Sequence, residues 1–202
     1  MSHYFTQPQG PEKRRTVTVR FWDTDWQFST ANEVFSADGL DLGTAVLLRE
    51  SVPPVGATRL LDLGCGWGVL AVALATACPE AMVDAVDVNA RALSLTAANA
   101  AALGVADRVR PLTPDQADAE ARYDEIWSNP PIRIGKDALH DLLLTWLPRL
   151  KPGGVARLVV GRNLGADSLQ RWLTEQGWDC RRLASAKGFR VFAVTATPSG
   201  RP

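Results

Sequence analysis

A glycine-rich stretch at residues 61–69 has the composition of a ligand-binding loop. An apolar run, typical of a buried strand, leads into Gly64, Gly66 and Gly68, and an apolar helical segment follows. Glycine lets the backbone turn sharply and lets a ligand approach the main chain, and the next helix offers free N–H groups to an anion. The spacing G-x-G-x-G, with Val69 at the position of the third dinucleotide glycine, differs from the nicotinamide pattern G-x-G-x-x-G. We therefore predict a cofactor loop, with a purely structural glycine turn as the alternative.

Three acidic residues fall where they could contact a bound nucleotide. Asp62 lies just before the glycines, and Asp87 ends the next apolar strand, about 20 residues beyond them. An acid at this strand tip typically accepts hydrogen bonds from ribose hydroxyls. Val88 and Asn89 follow it, and Asn89 is placed to cap a helix. Asp115 follows the third strand of this region, where an ordinary loop aspartate is an equally good interpretation because loops favour Asp.

A second stretch, Ser128-Asn129-Pro130-Pro131-Ile132, directly follows an apolar strand. The carboxyl ends of strands in an open α/β sheet face the ligand crevice. Two prolines fix the backbone and remove two N–H donors, so the loop presents carbonyl oxygens. The side-chain carbonyl of Asn129 and the main-chain carbonyl of Pro130 could hold a planar exocyclic amine. Two such acceptors would stabilise the charge that develops when the nitrogen attacks a methyl group. The alternative is an ordinary turn after a strand.

Composition narrows the class of protein without identifying it. The formal net charge is zero, which argues against a surface that grips nucleic acid everywhere. The charges are uneven, however: residues 151–202 hold nine basic and three acidic side chains, and 13–15 are basic. This asymmetry permits a basic face for RNA, and solvated surface charge is the alternative. Three dispersed cysteines and two histidines indicate neither a disulfide framework nor a metal site. No signal peptide or membrane span is evident, so we expect a cytoplasmic protein.

Hydrophobic periodicity predicts a hairpin followed by alternating strands and helices. The predicted strands are 16–22, 25–29, 58–63, 81–88, 108–112, 123–128, 155–161, 178–183 and 189–195, and the predicted helices are 44–50, 69–78, 90–103, 137–150 and 166–176. Such alternation predicts an α/β fold with a mostly parallel sheet and helices on both faces. The last two strands are close enough to form a hairpin, which makes the last strand antiparallel. We expect an arm at 1–15, a single domain at 16–197 (hairpin and helix at 16–56, core at 57–197) and a tail at 198–202.

These motifs together resemble the methyltransferase small domain family. The resemblance covers nearly the whole chain, in segments 2–5, 34–44, 62–68, 87–89, 129–136 and 187–191. It implies a class I, Rossmann-like methyltransferase fold with a seven-stranded sheet, and S-adenosylmethionine as the cofactor. The best-known members are bacterial enzymes that methylate the exocyclic amine of guanine in ribosomal RNA.

The resemblance also implies roles for particular residues. The implied cofactor site comprises Gly43, Thr44, Asp62, Gly64, Cys65, Gly66, Gly68, Asp87, Val88, Asn89, Asp115 and Asn129. Within it, Asp62 would orient the cationic methionine end of the cofactor and Asp115 would contact the adenine amino group. Asn129, with Pro130 and Pro131, would form the catalytic loop.

The sequence departs from the family in two respects. The known guanine enzymes of the small ribosomal subunit carry two related domains, whereas this chain has room for one. Many amino methyltransferases also place an aromatic residue after the two prolines to stack on the base, and Ile132 cannot stack in that way. Trp22, Trp26 and Phe35 are candidates for the stacking role, although a place in the core is the better explanation for each.

We therefore expect methyl transfer to an exocyclic amine, with guanine of ribosomal RNA as the first candidate. Ile132, Arg133 and Lys136 would contact the substrate, the two cations through phosphate, unless those charges simply face solvent. RNA is the expected partner; no membrane and no metal are expected, and the sequence leaves monomer or homodimer open. The alternatives are a methyltransferase for a protein amide or a small-molecule amine, and a binding module that has lost catalysis.

Overall fold

The computed structural model describes residues 10–22 and 24–197. Of Arg133, within the second range, it describes only the backbone. The strands are β1 (Arg14–Phe21), β2 (Thr24–Ala31), β3 (Arg59–Leu63), β4 (Met82–Val86), β5 (Val109–Leu112), β6 (Tyr123–Ser128), β7 (Leu150–Gly161), β8 (Trp178–Ala186) and β9 (Phe189–Ala196). The helices are α1 (Leu42–Glu50), α2 (Val69–Ala77), α3 (Ala90–Ala102), α4 (Lys136–Trp146) and α5 (Ala166–Glu175).

Seven strands form one mixed sheet in the order β5-β4-β3-β6-β7-β9-β8. The five strands from β5 to β7 are parallel, and β9 runs antiparallel to both of its neighbours. The predicted class I fold with an antiparallel last strand is therefore confirmed. The chain order reverses between β3 and β6, and the crevice above such a switch point is where open α/β sheets bind ligands.

Helices cover both faces of the sheet, as predicted. One apolar cluster packs α1, α2 and α3 against the sheet together with the β1–β2 hairpin. The second cluster packs α4 and α5 on the opposite face. Two-sided cover explains why the central strands β3 and β6 are buried along nearly their whole length, without alternation of buried and exposed residues.

The β1–β2 hairpin is a separate two-stranded sheet that is anchored to the core at two points. The ring of Phe28 meets the ring of Trp67 edge to face, with centroids 5.4 Å apart. The buried Asn99 side chain of α3 accepts from Ser29 N at 2.7 Å and donates to Ser29 O at 2.9 Å and to Trp67 O at 2.8 Å. These bonds fix the loop after β2, which leads over the carboxyl ends of β3 and β4.

Two predicted boundaries were wrong by four or more residues. Helix α4 ends at Trp146 and gives way to a short 3-10 turn, Leu147–Arg149, where Pro148 lacks an N–H donor. Strand β7 begins at Leu150, five residues earlier than predicted, and Leu150 pairs with Tyr123. The strand contains Gly154, where a Cβ would lie 2.9 Å from the carbonyl oxygen of Asp124, so only glycine allows this close approach.

The described residues include only part of the predicted arm and none of the predicted tail. The first nine residues of the predicted arm and the predicted tail lie outside the described residues. Within the described part, Gly10 precedes β1 and its carbonyl accepts a hydrogen bond of 2.6 Å from Arg91. The division into arm, domain and tail stays a prediction. In the described ranges, no helix is long and apolar enough to cross a bilayer, and no cluster of three potential metal ligands occurs.

Candidate active site

A cavity of about 1120 Å³ opens at the carboxyl ends of β3, β4, β6 and β7. Its wall includes the glycine loop, the tip of β4, the Asn-Pro-Pro loop, the loop after β2 and the start of β9. Typical ligand pockets measure ~300–1,000 Å³, so this cavity has room for a cofactor and part of a second molecule. A small cleft beside it is lined by Thr44, Asp62, Cys65 and Asn129.

The glycine loop makes the turn that its sequence predicts. Gly64, Gly66 and Gly68 all have positive φ angles, of 76°, 55° and 88°, which disfavour other residues. Gly68 caps α2, and a Cβ there would lie 2.8 Å from the side chain of Thr96. Gly64 and Gly66 line the cavity, whereas Gly68 lies behind it and allows close packing of α2 against α3.

Asp62 has one carboxylate oxygen without a hydrogen-bond partner. The residue is 1% exposed, and its Oδ2 accepts from Ala71 N at 2.9 Å. Its buried Oδ1 has no partner among the described residues. Burial raises the pKa of Asp62 to about 8, against the ordinary 3.8. A buried acceptor left open in this way fits a ligand that brings a cationic donor.

Asp87 connects the tip of β4 to the glycine loop. Its Oδ2 accepts from Gly66 N at 2.9 Å and its Oδ1 accepts from Asn89 N at 2.9 Å. Each oxygen keeps a further lone pair that can accept a ligand hydroxyl. Burial raises the pKa of Asp87. Val88 and Asn89 complete this wall, and the Asn89 side chain caps α3 as predicted and donates to Glu33 O.

The Asn-Pro-Pro loop is held by its own backbone and by β3. Ser128 Oγ donates to Leu63 O at 2.7 Å, which joins the end of β6 to the start of the glycine loop. Pro131, with φ −74° and ψ 72°, is the centre of an inverse γ-turn in which Ile132 N donates to Pro130 O at 2.8 Å. One lone pair of the Pro130 carbonyl is therefore used internally, and one is left for a substrate.

Asn129 is oriented by two partners that accept its amide hydrogens. Its Nδ2 donates to Asp41 Oδ1 at 2.6 Å and to Thr44 Oγ1 at 3.0 Å. An ionised carboxylate can only accept, so the nitrogen of the amide must face Asp41 and the carbonyl oxygen must face away. Asp41 also caps α1 by accepting from Thr44 N at 3.0 Å. The start of α1 therefore fixes the rotamer of the predicted catalytic residue.

The part of the cavity beyond Asn129 has apolar walls. Val159, Gly161, Leu164 and Phe189 line it, at the carboxyl end of β7 and the start of β9. The Phe189 ring lies against the first turn of α1, where a Cβ on Gly43 would come within 2.9 Å of the ring. Gly43 therefore affects the site by leaving room for the Phe189 ring at this position. A partly exposed ring on an apolar wall suits a planar ligand.

Several predicted site residues lie away from the cavity. Asp115 is exposed and is not part of the wall, where the neighbouring Pro114 stands instead. A hydrogen bond from the Thr113 hydroxyl lowers the pKa of Asp115. Lys136 is exposed at the start of α4, whereas Ile132 lines the cavity. Of Arg133, the structure describes only the backbone.

The three candidate stacking residues differ in where their side chains lie. Trp26 stacks on Phe21 at 5.3 Å, and Trp22 Nε1 donates to Leu48 O, so both belong to the hairpin core. Phe35 alone of the three lines the cavity, and it is 42% exposed.

Two residues that shape the site, Asp41 and Phe189, were not among the predicted site residues. The only sequence signal for Asp41 is its helix-capping position three residues before Thr44. No local signal marks Phe189, because its contact with the first turn of α1 joins distant parts of the chain.

Comparison with known proteins agrees with this geometry. The fold and the site define a class I methyltransferase. The family model for the methyltransferase small domain matches residues 25–193, and the chain belongs to this family. The chain is 28% identical over 193 residues to the uncharacterized protein YbxB of Bacillus subtilis, covering 94% of this chain and 96% of that protein.

Other relatives carry more specific names. Ribosomal RNA small subunit methyltransferase C of Hahella chejuensis is 38% identical over 174 residues, which cover 82% of this chain and 48% of that protein. This chain thus spans about half the length of that relative. A solved structure of a T. thermophilus 16S rRNA guanine N2 methyltransferase, in complex with AdoMet and guanosine, superposes with a TM-score of 0.79. It is 26% identical, and the match covers 94% of this chain and 52% of that one.

The residues of the cavity and of the small cleft beside it fit S-adenosylmethionine, the cofactor of this family. The open Asp62 oxygen suits the cationic amine of its methionine end, and the Asp87 carboxylate suits its ribose hydroxyls. Val88 and Pro114 offer an apolar wall to its adenine ring. The residues that would hold the cofactor are thus those at the tips of β3 and β4.

Proposed function

We propose that this protein methylates the exocyclic N2 amine of guanine in ribosomal RNA. The observation that carries the proposal is the fixed amide of Asn129, whose hydrogens are held by Asp41 and Thr44. Its carbonyl oxygen is thereby left as an acceptor. A cytoplasmic location follows from the proposed substrate.

Asn129 and Pro130 would hold the two hydrogens of the amine. The exocyclic nitrogen of guanine is a weak nucleophile because its lone pair is delocalised into the ring. Two carbonyl acceptors stabilise the positive charge that develops on the nitrogen and direct its lone pair toward the methyl carbon. After the new N–C bond forms, the nitrogen releases one proton to water, so no strong base is required before attack.

Bound S-adenosylmethionine would supply the electrophilic methyl group on its sulfonium. The protein contributes position and electrostatics. Asp62 would hold the amine of the methionine end and Asp87 would hold the ribose, both beside the glycine loop. The Phe189 ring and Ile132 would contact the faces of the base, in place of the aromatic residue that many relatives have after the prolines.

Two of the similarities support ribosomal RNA as the substrate. Several relatives are named for the small ribosomal subunit, and the T. thermophilus structure contains guanosine together with AdoMet. The apolar part of the cavity, bounded by Leu164 and Phe189, has the chemistry that a planar base requires.

The first test is methyl transfer from labelled cofactor to unmodified ribosomal RNA and small subunits, with nucleosides identified by mass spectrometry. We expect N2-methylguanosine. Asn129→Ala should lower turnover by a factor on the order of 10²–10³, because one aimed acceptor is lost, while cofactor affinity is retained.

Asn32→Ala is the matched control, because the Asn32 side chain bonds to the backbone of Lys13 and Pro11 and is not part of the cavity wall. Full activity of Asn129→Ala would contradict the assigned role. If no nucleoside is labelled although the cofactor binds, the substrate is a protein amide or a small-molecule amine instead.

A further inference from the structure

Two exposed cations lie close to residues of the cavity wall. Arg162 follows the last residue of β7, and Lys187 lies in the turn between β8 and β9. We propose that this pair, the basic rim, binds a backbone phosphate of the RNA next to the nucleotide in the cavity. The inference rests on the proposed function and extends it from the base to its backbone.

Strand pairing places the basic rim against the cavity. Gly161 of β7 and Phe189 of β9 are paired, and both line the cavity. One step further out, Arg162 N donates to Gly188 O at 2.8 Å. Arg162 directly follows the wall residue Gly161, and Lys187 lies two residues before the wall residue Phe189, at the same end of the sheet as Asn129.

The basic rim has uncompensated charge. Among the described residues, neither Arg162 nor Lys187 has an ion-pair partner, and both side chains are exposed. The nearby Arg190 and Arg181 differ, because they pair with Asp167 and Asp179. Among the described residues of this region, Arg171 of α5 and Arg182 of β8 are also exposed without an ion pair, but they do not adjoin the cavity wall.

The backbone at Lys187 is an independent observation. Ala186 and Phe189 are paired, so Lys187 and Gly188 form a two-residue turn with φ angles of 47° and 80°. These angles define a type I′ turn, whose first position favours Asn, Asp or Gly. A lysine in left-handed conformation is strained, and such strain concentrates at functional sites. The turn therefore holds a cation where its own geometry favours a neutral or acidic residue.

The chemistry of the pair matches a phosphodiester. Arginine can donate two parallel hydrogen bonds to phosphate oxygens, and lysine adds a compact point charge. A phosphate lies within a few ångströms of every base along an RNA chain. A base held between Asn129 and Phe189 would therefore bring its flanking phosphate to the basic rim.

The test uses substitutions that leave the fold intact. Lys187→Asn removes the charge and introduces a residue that the type I′ turn favours, and Arg162→Gln removes the second charge. Arg122→Gln is the matched control, because Arg122 is exposed just before β6, at the amino end of that strand and away from the cavity. Binding of short fluorescein-labelled fragments of unmodified small-subunit ribosomal RNA is measured by anisotropy over a range of salt, beside KM and kcat for methyl transfer.

We expect each rim substitution to weaken RNA binding and raise KM about five- to tenfold at low salt. The slope of log affinity against log salt should fall by about 1 for each lost phosphate contact. Cofactor affinity and kcat should be unchanged, and Arg122→Gln should resemble the wild type. If Arg162 and Lys187 had only a structural role, their substitution would lower thermal stability without changing the slope of log affinity against log salt.

The outcomes separate the two proposals. If the wild type binds RNA without methylating it, and the rim variants bind less tightly, the basic rim stands and the proposed reaction fails. If the wild type methylates RNA and the rim variants keep its KM and salt slope, the basic rim is overturned and the reaction stands. No binding of RNA by the wild type, or equal binding of an acidic peptide, overturns the basic rim.

Discussion

Asp41 decides how Asn129 faces the cavity. Its carboxylate caps the first turn of α1 and holds the Asn129 amide nitrogen, so one oxygen joins a helix terminus to the catalytic loop. An amide side chain can rotate by half a turn at little cost unless its neighbours distinguish nitrogen from oxygen. Asp41 makes that distinction.

Asp41→Ala should therefore lower kcat about ten- to a hundredfold, because the Asn129 carbonyl is no longer held toward the substrate. Asp41→Asn keeps an acceptor oxygen and should recover most of the activity. The measurement is kcat for RNA methylation, with cofactor affinity measured in parallel. In the Asn129→Ala background, Asp41→Ala should cost no further activity; additive losses would show that Asp41 acts independently of Asn129.

In the proposed cofactor site, Asp62 would stabilise the bound cofactor, while its burial destabilises the cofactor-free protein. The pKa of Asp62 in the folded protein, about 8, lies above the ordinary value of 3.8. At a pH between these two values the unfolded chain therefore binds fewer protons than the folded protein. The free energy of unfolding of the cofactor-free protein should therefore decrease as the pH rises from about 4 to about 8.

Asp62→Asn should remove this contribution, because an amide does not titrate and can still accept from Ala71 N. We expect a higher Tm for the cofactor-free variant near neutral pH and a loss of cofactor affinity. Thermal unfolding against pH, combined with calorimetric titration of the cofactor, measures both. A variant that is less stable than the wild type near pH 7 would contradict the assigned protonation.

At the scale of elements, the β1–β2 hairpin reaches the site through Asn99. The hairpin contributes no catalytic group, but the loop that follows it lines the cavity through Glu33, Val34 and Phe35. Asn99 satisfies three backbone groups, on β2 and in the glycine loop, with one side chain. The position of that loop depends on these bonds together with its own, in which Asn89 Nδ2 donates to Glu33 O and Trp67 Nε1 donates to Phe35 O.

Asn99→Ala should leave those groups unpaired and cost about 2–4 kcal/mol of unfolding free energy, since each buried unpaired group costs ~1–3 kcal/mol. Cofactor affinity should also fall, because the wall at Glu33 loosens. Urea unfolding and cofactor titration measure the two effects. The control is Thr96→Ser, at a neighbouring buried position of α3, because serine keeps a hydroxyl for Gly66 O. Equal cofactor affinity in the two variants would refute the proposed link between the Asn99 bonds and the cavity wall.

At the scale of the whole molecule, Asp84 connects four adjacent strands in the β5 half of the sheet. It lies in β4 and is fully buried, and it accepts from Arg59 of β3, Arg110 of β5 and Tyr123 of β6. Burial, together with the adjacent Asp84 carboxylate, raises the pKa of the Tyr123 phenol. This network is far from the cavity and uses no residue of its wall.

Asp84→Ala should lower the unfolding free energy by about 2–3 kcal/mol. The cost stays below that of an isolated buried charge because Arg59 and Arg110 are 28% and 44% exposed and reach solvent. Chemical unfolding measures the loss, and cofactor affinity of the folded variant should match the wild type. A selective loss of cofactor affinity would show that the network also shapes the site.

The sequence by itself determined the order of the elements and both loops of the site. Apolar runs, glycines with positive φ and capping residues such as Asn89 act through neighbours a few residues away, so their pattern predicts local structure. The boundaries of α4 and β7 were missed because Leu150 pairs with Tyr123, a contact that no local pattern records.

Only the tertiary structure decided which side chains converge on the cavity. Asp41 meets Asn129 across 88 residues of sequence, and Phe189 lies on Gly43 because β9 returns antiparallel beside β7. Asp115 follows the expected strand, yet its loop directs Pro114 to the wall. Parallel strands bring their carboxyl ends together irrespective of sequence distance, so the partners at that edge are set by strand order and by the register of each strand.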